Sequence, residues 1–433
     1  MSSITSKEIL LTEQHNIRSS RSKELEDICF NSKNIYNSCL YILRQEFFQN
    51  QDIYQFNKRY ETNLKPIKYS SYVDVYNKLK KKECYKSLPA KVSQQTIKLA
   101  VKDFYCFLKS LKAYFKELKS QSNVLLSKKK PNLPRYKDKK IGRFLTVYTN
   151  QAISKRSLKS NIVKLSGSDF SVPTKVVNTE NIQQVRVVPG KSNSYSLEVV
   201  YKVKLKDLYL DKNNIIGIDL GVNNLISITS NQRGLPPLVV NGRIVKSVNQ
   251  YYNKVKSELQ SLLSKKKYCS KRILRLGFKR SRKIKHYFHH VSKFVVSYCV
   301  ENNIGTIVIG KNDGWKESSN MGRINNQNFV SIPYNMLIDQ IEYKSSLVGI
   351  SVVRTEESYT SKCSFLDLEK VEKHEKYLGY RKSRGMFKSK KYGEINADVN
   401  GSFNIIRKVF PREFSEGIEG FVVNPVSYIP CKV

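Results

Sequence analysis

No two of the eight cysteines in this 433-residue chain are spaced C-x-x-C. Cys29, Cys39, Cys84, Cys106, Cys269, Cys299, Cys363 and Cys431 are scattered, which argues against both a zinc ribbon and a disulfide framework and points to reduced thiols in the cytoplasm. Histidine is also scarce, at five residues. His286 and His290 fall one helical turn apart and could share a metal, but Lys283, Lys285 and Lys293 flank them and make a basic surface the plainer reading. There is no apolar run of about eighteen residues and no N-terminal signal sequence, so no membrane span is expected. Acids are the scarce charge: 36 Asp and Glu face 77 Lys and Arg, a formal net charge of +41. Such a field repels itself on compaction and is relieved by a polyanion. Nucleic acid is therefore the expected partner, with a basic amphipathic membrane binder as the competing class.

What is present suggests two or three domains. Residues 22–48 carry Leu25, Ile28, Cys29, Ile35, Cys39, Leu40, Leu43 and Phe47 at helical spacing. Residues 92–118 carry a clearer amphipathic stripe of Ile97, Val101, Phe104, Leu108, Leu111, Phe115 and Leu118. The run KKKPNLPRYKDKK from Lys128 is basic and broken by proline, as in a linker or a nucleic-acid-contacting loop. Between residues 144 and 204 short runs rich in Val, Ile, Tyr and Ser predict a small antiparallel sheet or barrel.

The second half predicts three strands at 215–220, 225–229 and 238–241. A long helical section over 248–302 follows, with a break near Gly277. Next come a strand at 306–309, a helix at 334–347, a strand at 350–354, an irregular basic segment and a final helix at 397–409. The tail beyond Pro411, with Pro425 and Pro430, reads as poorly structured. Three strands, a helix, then alternating strands and helices is the order of an α/β domain of the RNase H-like kind.

IGIDLGVNN from Ile216 places Asp219 at the end of an apolar strand, directly before Leu220 and Gly221. EINADVNGSFNI from Glu394 places Asp398 at the start of the last helix. In an RNase H-like sheet the first strand is central, flanked by the fourth, and the fourth by the fifth. Asp219 then lies beside the ends of the strands at 306–309 and 350–354. A glutamate is common at the end of the fourth strand, but that position holds Gly310. The fifth strand leads into Glu356 and Glu357, from which a carboxylate can reach the same place across neighbouring strands about 4.8 Å apart. Three carboxylates suit two Mg2+ ions, or Mn2+ in their place, acting on a phosphodiester.

The second half resembles the TnpB (OrfB) proteins of bacterial insertion sequences, RNA-guided DNA endonucleases related to the type V CRISPR effectors. The likeness rests on GIDLGVNN around Asp219, GKNDGWKE from Gly310, NNQNFVSIPY from Asn325, EESYTSKCSFLD from Glu356 and INADVNGSFNI from Ile395. It extends more loosely through LPAKVSQQT from Leu88, KPNLPRYKDK from Lys130 and QVRVVPG from Gln184. The resemblance implies a RuvC-like nuclease domain over residues 213–410. Within it lie a basic helical insertion at 247–302 and a degenerate zinc-finger-like segment at 360–394. A helical recognition lobe over 1–143 and a β-rich wedge-like module over 144–212 precede it, the first residues joining that module, and a tail at 411–433 follows. The family's first and third acids map onto Asp219 and Asp398. Its usual second acid falls at Gly310. Some relatives, Fanzor proteins among them, carry a relocated glutamate three residues before a Thr-Ser pair, the place of Glu357. Many members carry four cysteines after that pair where this chain has only Cys363, so no zinc is expected.

The implied partners are a guide RNA from the transposon end and double-stranded DNA with an adjacent motif, in the cytoplasm at the nucleoid. Phosphate contacts are expected from Lys265, Lys266, Lys267, Lys271, Arg272, Arg275, Lys279, Arg280, Arg282, Lys283 and Lys285. The principal alternative is a guided DNA-binding regulator that has lost cleavage. An actin-type ATPase would need a second glycine-rich phosphate loop, which the sequence lacks. A transposase using Tyr287 near His289 and His290 would have to place its nucleophile in a lysine-rich helix.

Overall fold

The computed structural model describes residues 8–17, 23–120, 129–190, 194–264, 267–312, 327, 329–383 and 385–430. They fall into two compact units, Glu8–Val203 and Lys204–Val433. No helix among the described residues is long and apolar enough to cross a membrane.

In the Glu8–Val203 unit, strand β1 (Glu8–Ile17) precedes helices α1 (Lys23–Tyr60), α2 (Tyr72–Leu79), α3 (Glu83–Lys86) and α4 (Ala90–Ser120). Then come β2 (Thr146–Thr149), α5 (Lys155–Lys159), β3 (Ile162–Lys164), β4 (Ser171–Pro173), β5 (Ile182–Pro189) and β6 (Tyr195–Lys204). The four-stranded sheet has the order β1-β6-β5-β2. The apolar stripes predicted for the two long helices bury Leu25, Cys29, Leu40, Leu43, Ile97 and Phe104 in one core with Val185, Val187 and Leu197 of the sheet, whereas Phe115 and Leu118 at the far end of the second stripe are exposed. Residues 129–140 form no free linker. Their backbone is tied along α1, where Asn37 exchanges two hydrogen bonds with Lys137 (2.8 and 2.9 Å) and Arg44 donates to the Pro134 carbonyl at 2.7 Å. A proline-broken segment has no ladder of its own, so polar side chains of the helix satisfy it instead.

The Lys204–Val433 unit is built on β7 (Asp211–Leu220), β8 (Asn224–Ser230), β9 (Leu238–Asn241), α6 (Arg243–Ser261) and α7 (Lys271–Glu301). These are followed by β10 (Ile304–Gly310), α8 (Tyr334–Leu347), β11 (Ser351–Thr355), β12 (Gly379–Arg381), β13 (Met386–Ser389), β14 (Glu394–Asn396), α9 (Ala397–Val409) and β15 (Val426–Tyr428). The main sheet has the order β11-β10-β7-β8-β9-β15, with β10 parallel to both β7 and β11, and β7 antiparallel to β8. Alternation along β7 sends Ile216, Ile218 and Leu220 into a core with Phe288 and Leu337, while Ile215 faces a second core with Phe403 and Ile406 of α9. Asp219 shares the α9 face with Ile215 by the same alternation. Gly217 lets the helix come close: a side chain there would stand 2.4 Å from the Ser402 carbonyl. Ser402 in turn donates to the Gly217 carbonyl at 2.8 Å.

Three expectations are corrected. The helical section is divided where α6 ends at Ser261 and α7 begins at Lys271, while Gly277 lies inside α7. One glycine costs about 1 kcal/mol in a helix interior, too little to divide this helix, whereas Ser270 supplies a cap by accepting from the Ile273 N–H at 3.3 Å. The tail is not unstructured, since β15 pairs parallel with β9, Phe414 is 2% exposed, and the Tyr428 ring stacks on Phe294 at 3.8 Å. Pro425 precedes the strand, where its missing N–H costs no ladder bond. The segment before α9 folds as the antiparallel sheet β12-β13-β14, burying Phe387 and Ile395. Cys363 is buried there, its thiol donating to the Glu372 carbonyl at 3.5 Å.

Candidate active site

Asp219 is the penultimate residue of β7 and is half-buried against α9. Gly401, one turn into that helix, makes room for it, because a Cβ at 401 would stand 2.9 Å from Asp219 Oδ2. Asp398 begins the same helix, after Asn396 caps it by accepting from the Asp398 and Val399 N–H groups at 3.0 and 3.2 Å. Its Oδ2 accepts from Asn224 Nδ2 at 2.8 Å, and its Oδ1 lies 3.8 Å from the Arg381 guanidinium.

Gly310 ends β10 in register with Thr355 of β11. The chain then turns so that the Glu357 N–H donates to Asn312 Oδ1 at 2.6 Å. This folds the Glu357 side chain back over the glycine. A Cβ added at 310 would lie 2.7 Å from Glu357 Cγ and 2.8 Å from its Oε1. Glu357 therefore occupies the space that a side chain at position 310 would take. Its Oε1 is buried without a hydrogen-bond partner. Glu356 turns the other way, exposed, with its carboxylate 3.8 Å from Lys408 Nζ.

The acids feel one another. Burial, followed by repulsion from Asp398, pushes the Asp219 carboxyl up to about 7, against the opposing pull of the Leu220 N–H and Arg381. Burial, followed by repulsion from Asp219, pushes Glu357 up to about 8, with Lys408 opposing. Both carboxyls also bear on Tyr334, whose phenol is driven up by burial first and whose hydroxyl donates to the Gly221 carbonyl at 2.8 Å. Among the described residues no three His, Cys, Asp or Glu side chains are closed around a common metal position. Asp219 neighbours both Asp398 and Glu357, with Asp398 turned towards Asn224 and Arg381. As a donor set they suit a hard divalent cation, being all carboxylate, with one buried oxygen unpaired.

Asn224, Arg381, Tyr334 and Lys408 surround the acids without having been singled out from the sequence. Asn224 lies within the IGIDLGVNN motif and Tyr334 ends NNQNFVSIPY, so both were in view as motif letters; Arg381 sits on a short strand whose sequence gave no sign. Of the basic residues proposed for phosphate contact, Lys267, Lys271, Arg272, Arg275, Lys279, Arg282 and Lys285 are exposed. Lys265 and Lys266 lie outside the described residues. Arg280 is engaged internally, its Nε donating to Asn249 Oδ1 at 2.6 Å and a terminal nitrogen to the Ser331 carbonyl at 2.7 Å. His286 and His290 stand with Nε2 atoms 3.3 Å apart on the exposed side of α7. Tyr287 is fully buried with its hydroxyl on the Asn241 carbonyl at 2.6 Å, which removes it as a nucleophile.

The OrfB_IS605 family model, a probable transposase, matches residues 198–316, and the Cas12f1-like TNB domain model matches residues 334–405. The CRISPR-associated endodeoxyribonuclease Cas12f1 of Sulfoacidibacillus thermotolerans is 23% identical over 299 residues, covering 64% of this chain and 66% of that protein. The TnpB-like protein ORF457 of Acidianus two-tailed virus is 26% identical over 249 residues, covering 53% of this chain and 49% of that protein. The chain thus spans just under two thirds of one curated relative and about half of the other. A solved structure of the mini RNA-guided endonuclease CRISPR-Cas_phi3 aligns over 97% of this chain and 94% of its own at 11% identity, with a TM-score of only 0.42. Two family models matched in chain order, together with the two curated relatives, make this chain similar to the TnpB/OrfB proteins of insertion sequences.

Proposed function

We propose that the protein is an RNA-guided DNA endonuclease whose Lys204–Val433 unit is an RNase H-like, RuvC-like nuclease domain. The observation that supports this reading is that Asp219 interacts with both Asp398 and Glu357, with the Glu357 side chain in the space beside Gly310. The matched family models and a charge of +41 support a nucleic-acid substrate. Asp219, Glu357 and Asp398 would hold two Mg2+ ions, or Mn2+, through carboxylate oxygens. Bound there, the ions supply an activated water and stabilisation of the leaving oxygen of a phosphodiester.

The chain's own residues prepare that role. Burial keeps Asp219 and Glu357 partly protonated near neutral pH, so cation binding at these carboxylates is coupled to proton release. Asn224 and Arg381 hold Asp398, and the Leu220 N–H holds Asp219. The partners are a guide RNA from the transposon end and double-stranded DNA with an adjacent motif. Guide pairing sets the sequence, and the protein holds the heteroduplex through its backbone. The exposed cations of α7 serve as phosphate contacts, residues 1–143 as the recognition lobe and 144–212 as the wedge-like module. No zinc is assigned, since Cys363 is a lone thiol in its segment.

Gly310 favours a second reading, a guided DNA-binding regulator without cleavage. One experiment separates the two. The protein is purified with RNA co-expressed from its native flanking DNA and given a guide-matched plasmid in Mg2+, with Asp219→Ala as control. Guide-dependent cutting that the substitution abolishes supports the nuclease. Specific target binding without cutting overturns it in favour of the regulator.

A further inference from the structure

Glu357 keeps a buried, unpartnered oxygen on an irregular stretch of chain, beside a second acid that points into water. Left to itself such a carboxylate turns outward, because burial without a partner is unfavourable. Helix α9 supplies a restraint. Asn400, Asn404 and Lys408 stand four residues apart on one face of it, and each grips the chain that follows β11. Asn400 donates to the Cys363 carbonyl at 2.9 Å and accepts from the Phe365 N–H at 2.8 Å. Asn404 donates to the Cys363 and Thr360 carbonyls at 2.7 and 2.9 Å. Lys408 donates to the Ser358 hydroxyl at 2.7 Å and to its carbonyl at 3.1 Å. As the helix advances from 400 to 408, the chain it holds runs back from 365 to 358 and ends one residue from the acid.

Lys408 engages the residues on either side of Glu357. Besides Ser358 it lies 3.8 Å from the Glu356 carboxylate, its own side chain 21% exposed and that of Glu356 67%. An ion pair with so open a partner contributes little, so the Ser358 bonds carry most of the hold. A second sign of restraint lies one residue on. Tyr359 has a φ of 67°, in the left-handed region that a tyrosine avoids. Such a conformation persists where the surroundings fix the backbone on both sides of it. Here Lys408 fixes Ser358, while Thr360 donates from its N–H and its hydroxyl to the Glu357 carbonyl at 3.2 and 2.8 Å. A slip of this exit by one residue would exchange Glu357 for Glu356 and break those bonds together.

We propose that Lys408 is a positioning residue, which locks the register of the strand exit so that Glu357 and not Glu356 faces Asp219. The role rests on the nuclease reading for its consequence in catalysis. It acts through the backbone and needs no contact between Lys408 and substrate or cation. Asn312 at the Glu357 N–H and Lys408 at Ser358 then hold the acid from its two sides.

The first test needs neither metal nor cleavage. Hydrogen-deuterium exchange of the exit that carries Glu357 is followed by peptide mass spectrometry in the metal-free full-length protein with its co-purified RNA. Lys408→Met keeps the length of the side chain and removes its charge and donors, and should speed exchange there on the order of tenfold, as for the loss of one or two hydrogen bonds. Ser358→Ala, which removes one acceptor, should do the same to a smaller extent, and Lys408→Arg should keep the protection. Lys362→Met, an exposed cation of the same loop, should leave exchange unchanged. Exchange in Lys408→Met and Ser358→Ala equal to that of the parent overturns the lock. In guided cleavage Lys408→Met should lower the single-turnover rate roughly tenfold to a hundredfold, as for a reacting group displaced by about 1 Å, with target affinity unchanged and Lys408→Arg near the parental rate. The sharper comparison is Glu357→Gln alone against Glu357→Gln with Lys408→Met. With the lock removed Glu356 can enter, so the double variant should cut faster than the single one, and a further Glu356→Gln should remove the gain. A double variant no faster than the single one overturns the selection of one acid over the other. A guided nuclease whose exit ignores Lys408 would lose the lock alone, and an exit loosened by Lys408→Met in a protein that never cuts would leave the lock while the nuclease reading fell.

Discussion

Two glutamates, one in each unit, are buried to opposite ends. Glu46 of α1 is 9% exposed, and both its oxygens are used: it accepts from the Ser70 N–H at 2.8 Å and from the Ser70 hydroxyl, and pairs with Lys78 at 3.2 Å. Glu357 is also withdrawn from water, yet its Oε1 has no partner, and its nearest charged neighbours include another acid. A buried carboxylate that brings its own donors holds architecture together. One left without them stores unfavourable energy that only a proton or a cation can release. The contrast sets a carboxylate satisfied by its neighbours against one that is not.

The largest expected effect is on Glu357. Glu357→Gln preserves shape and removes a charged ligand, so guided cleavage should fall by more than about a hundredfold while the melting temperature holds or rises. Cleavage at the parental rate would end the assignment. Next is Gly310→Ala, whose methyl group would press on Ile405 Cδ1 at 2.5 Å and on the Glu357 side chain. Displacing that carboxylate by about 1 Å should cost roughly tenfold to a hundredfold in single-turnover rate, with guide and target affinity unchanged. Glu46→Ala should do the converse: a loss of about 1 to 3 kcal/mol in urea unfolding from the stranded Ser70 N–H and hydroxyl, with cleavage intact below the transition.

A pH series supplies the finest comparison. A carboxyl whose folded-state pKa is raised binds its proton more tightly when folded. Its contribution is present below the unfolded value near 4 and is lost as pH rises through about 7 for Asp219 and about 8 for Glu357. Metal-free protein should therefore lose stability between roughly pH 4 and 8, on the order of 1 to 3 kcal/mol. Asp219→Asn should flatten the loss, and Mg2+ should restore stability to the parent more than to the variant. Identical melting profiles for parent and variant, with and without Mg2+, would show that Asp219 is already compensated.

Much of the Lys204–Val433 unit was legible because its elements state their own periods. The predicted spans of β9, α8 and α9 coincide with the observed ones, and Asp219 and Asp398 were placed by strand end and helix start. The choice of Glu357 over Glu356 rested on the likeness around the Thr-Ser pair and not on strand geometry, since adjacent residues on an irregular exit can each point inward. In the structure the Asn312 bond turns the chain so that Glu357 folds over Gly310 while Glu356 is exposed. Arg381 was invisible because three-residue strands such as β12 carry too few alternations to register. The tail was misjudged because its prolines are local signals, whereas the contacts of Phe414 and Tyr428 are made with residues far along the chain.

The seating of Glu357 over Gly310 also bears on how this chain compares with others. A side chain at 310 and Glu357 in its present seat claim the same volume, so an acid at 310 would require Glu357 to lie elsewhere. On the proposed reading, a column-by-column comparison would score this chain as lacking an acid at the very residue whose small size makes room for Glu357.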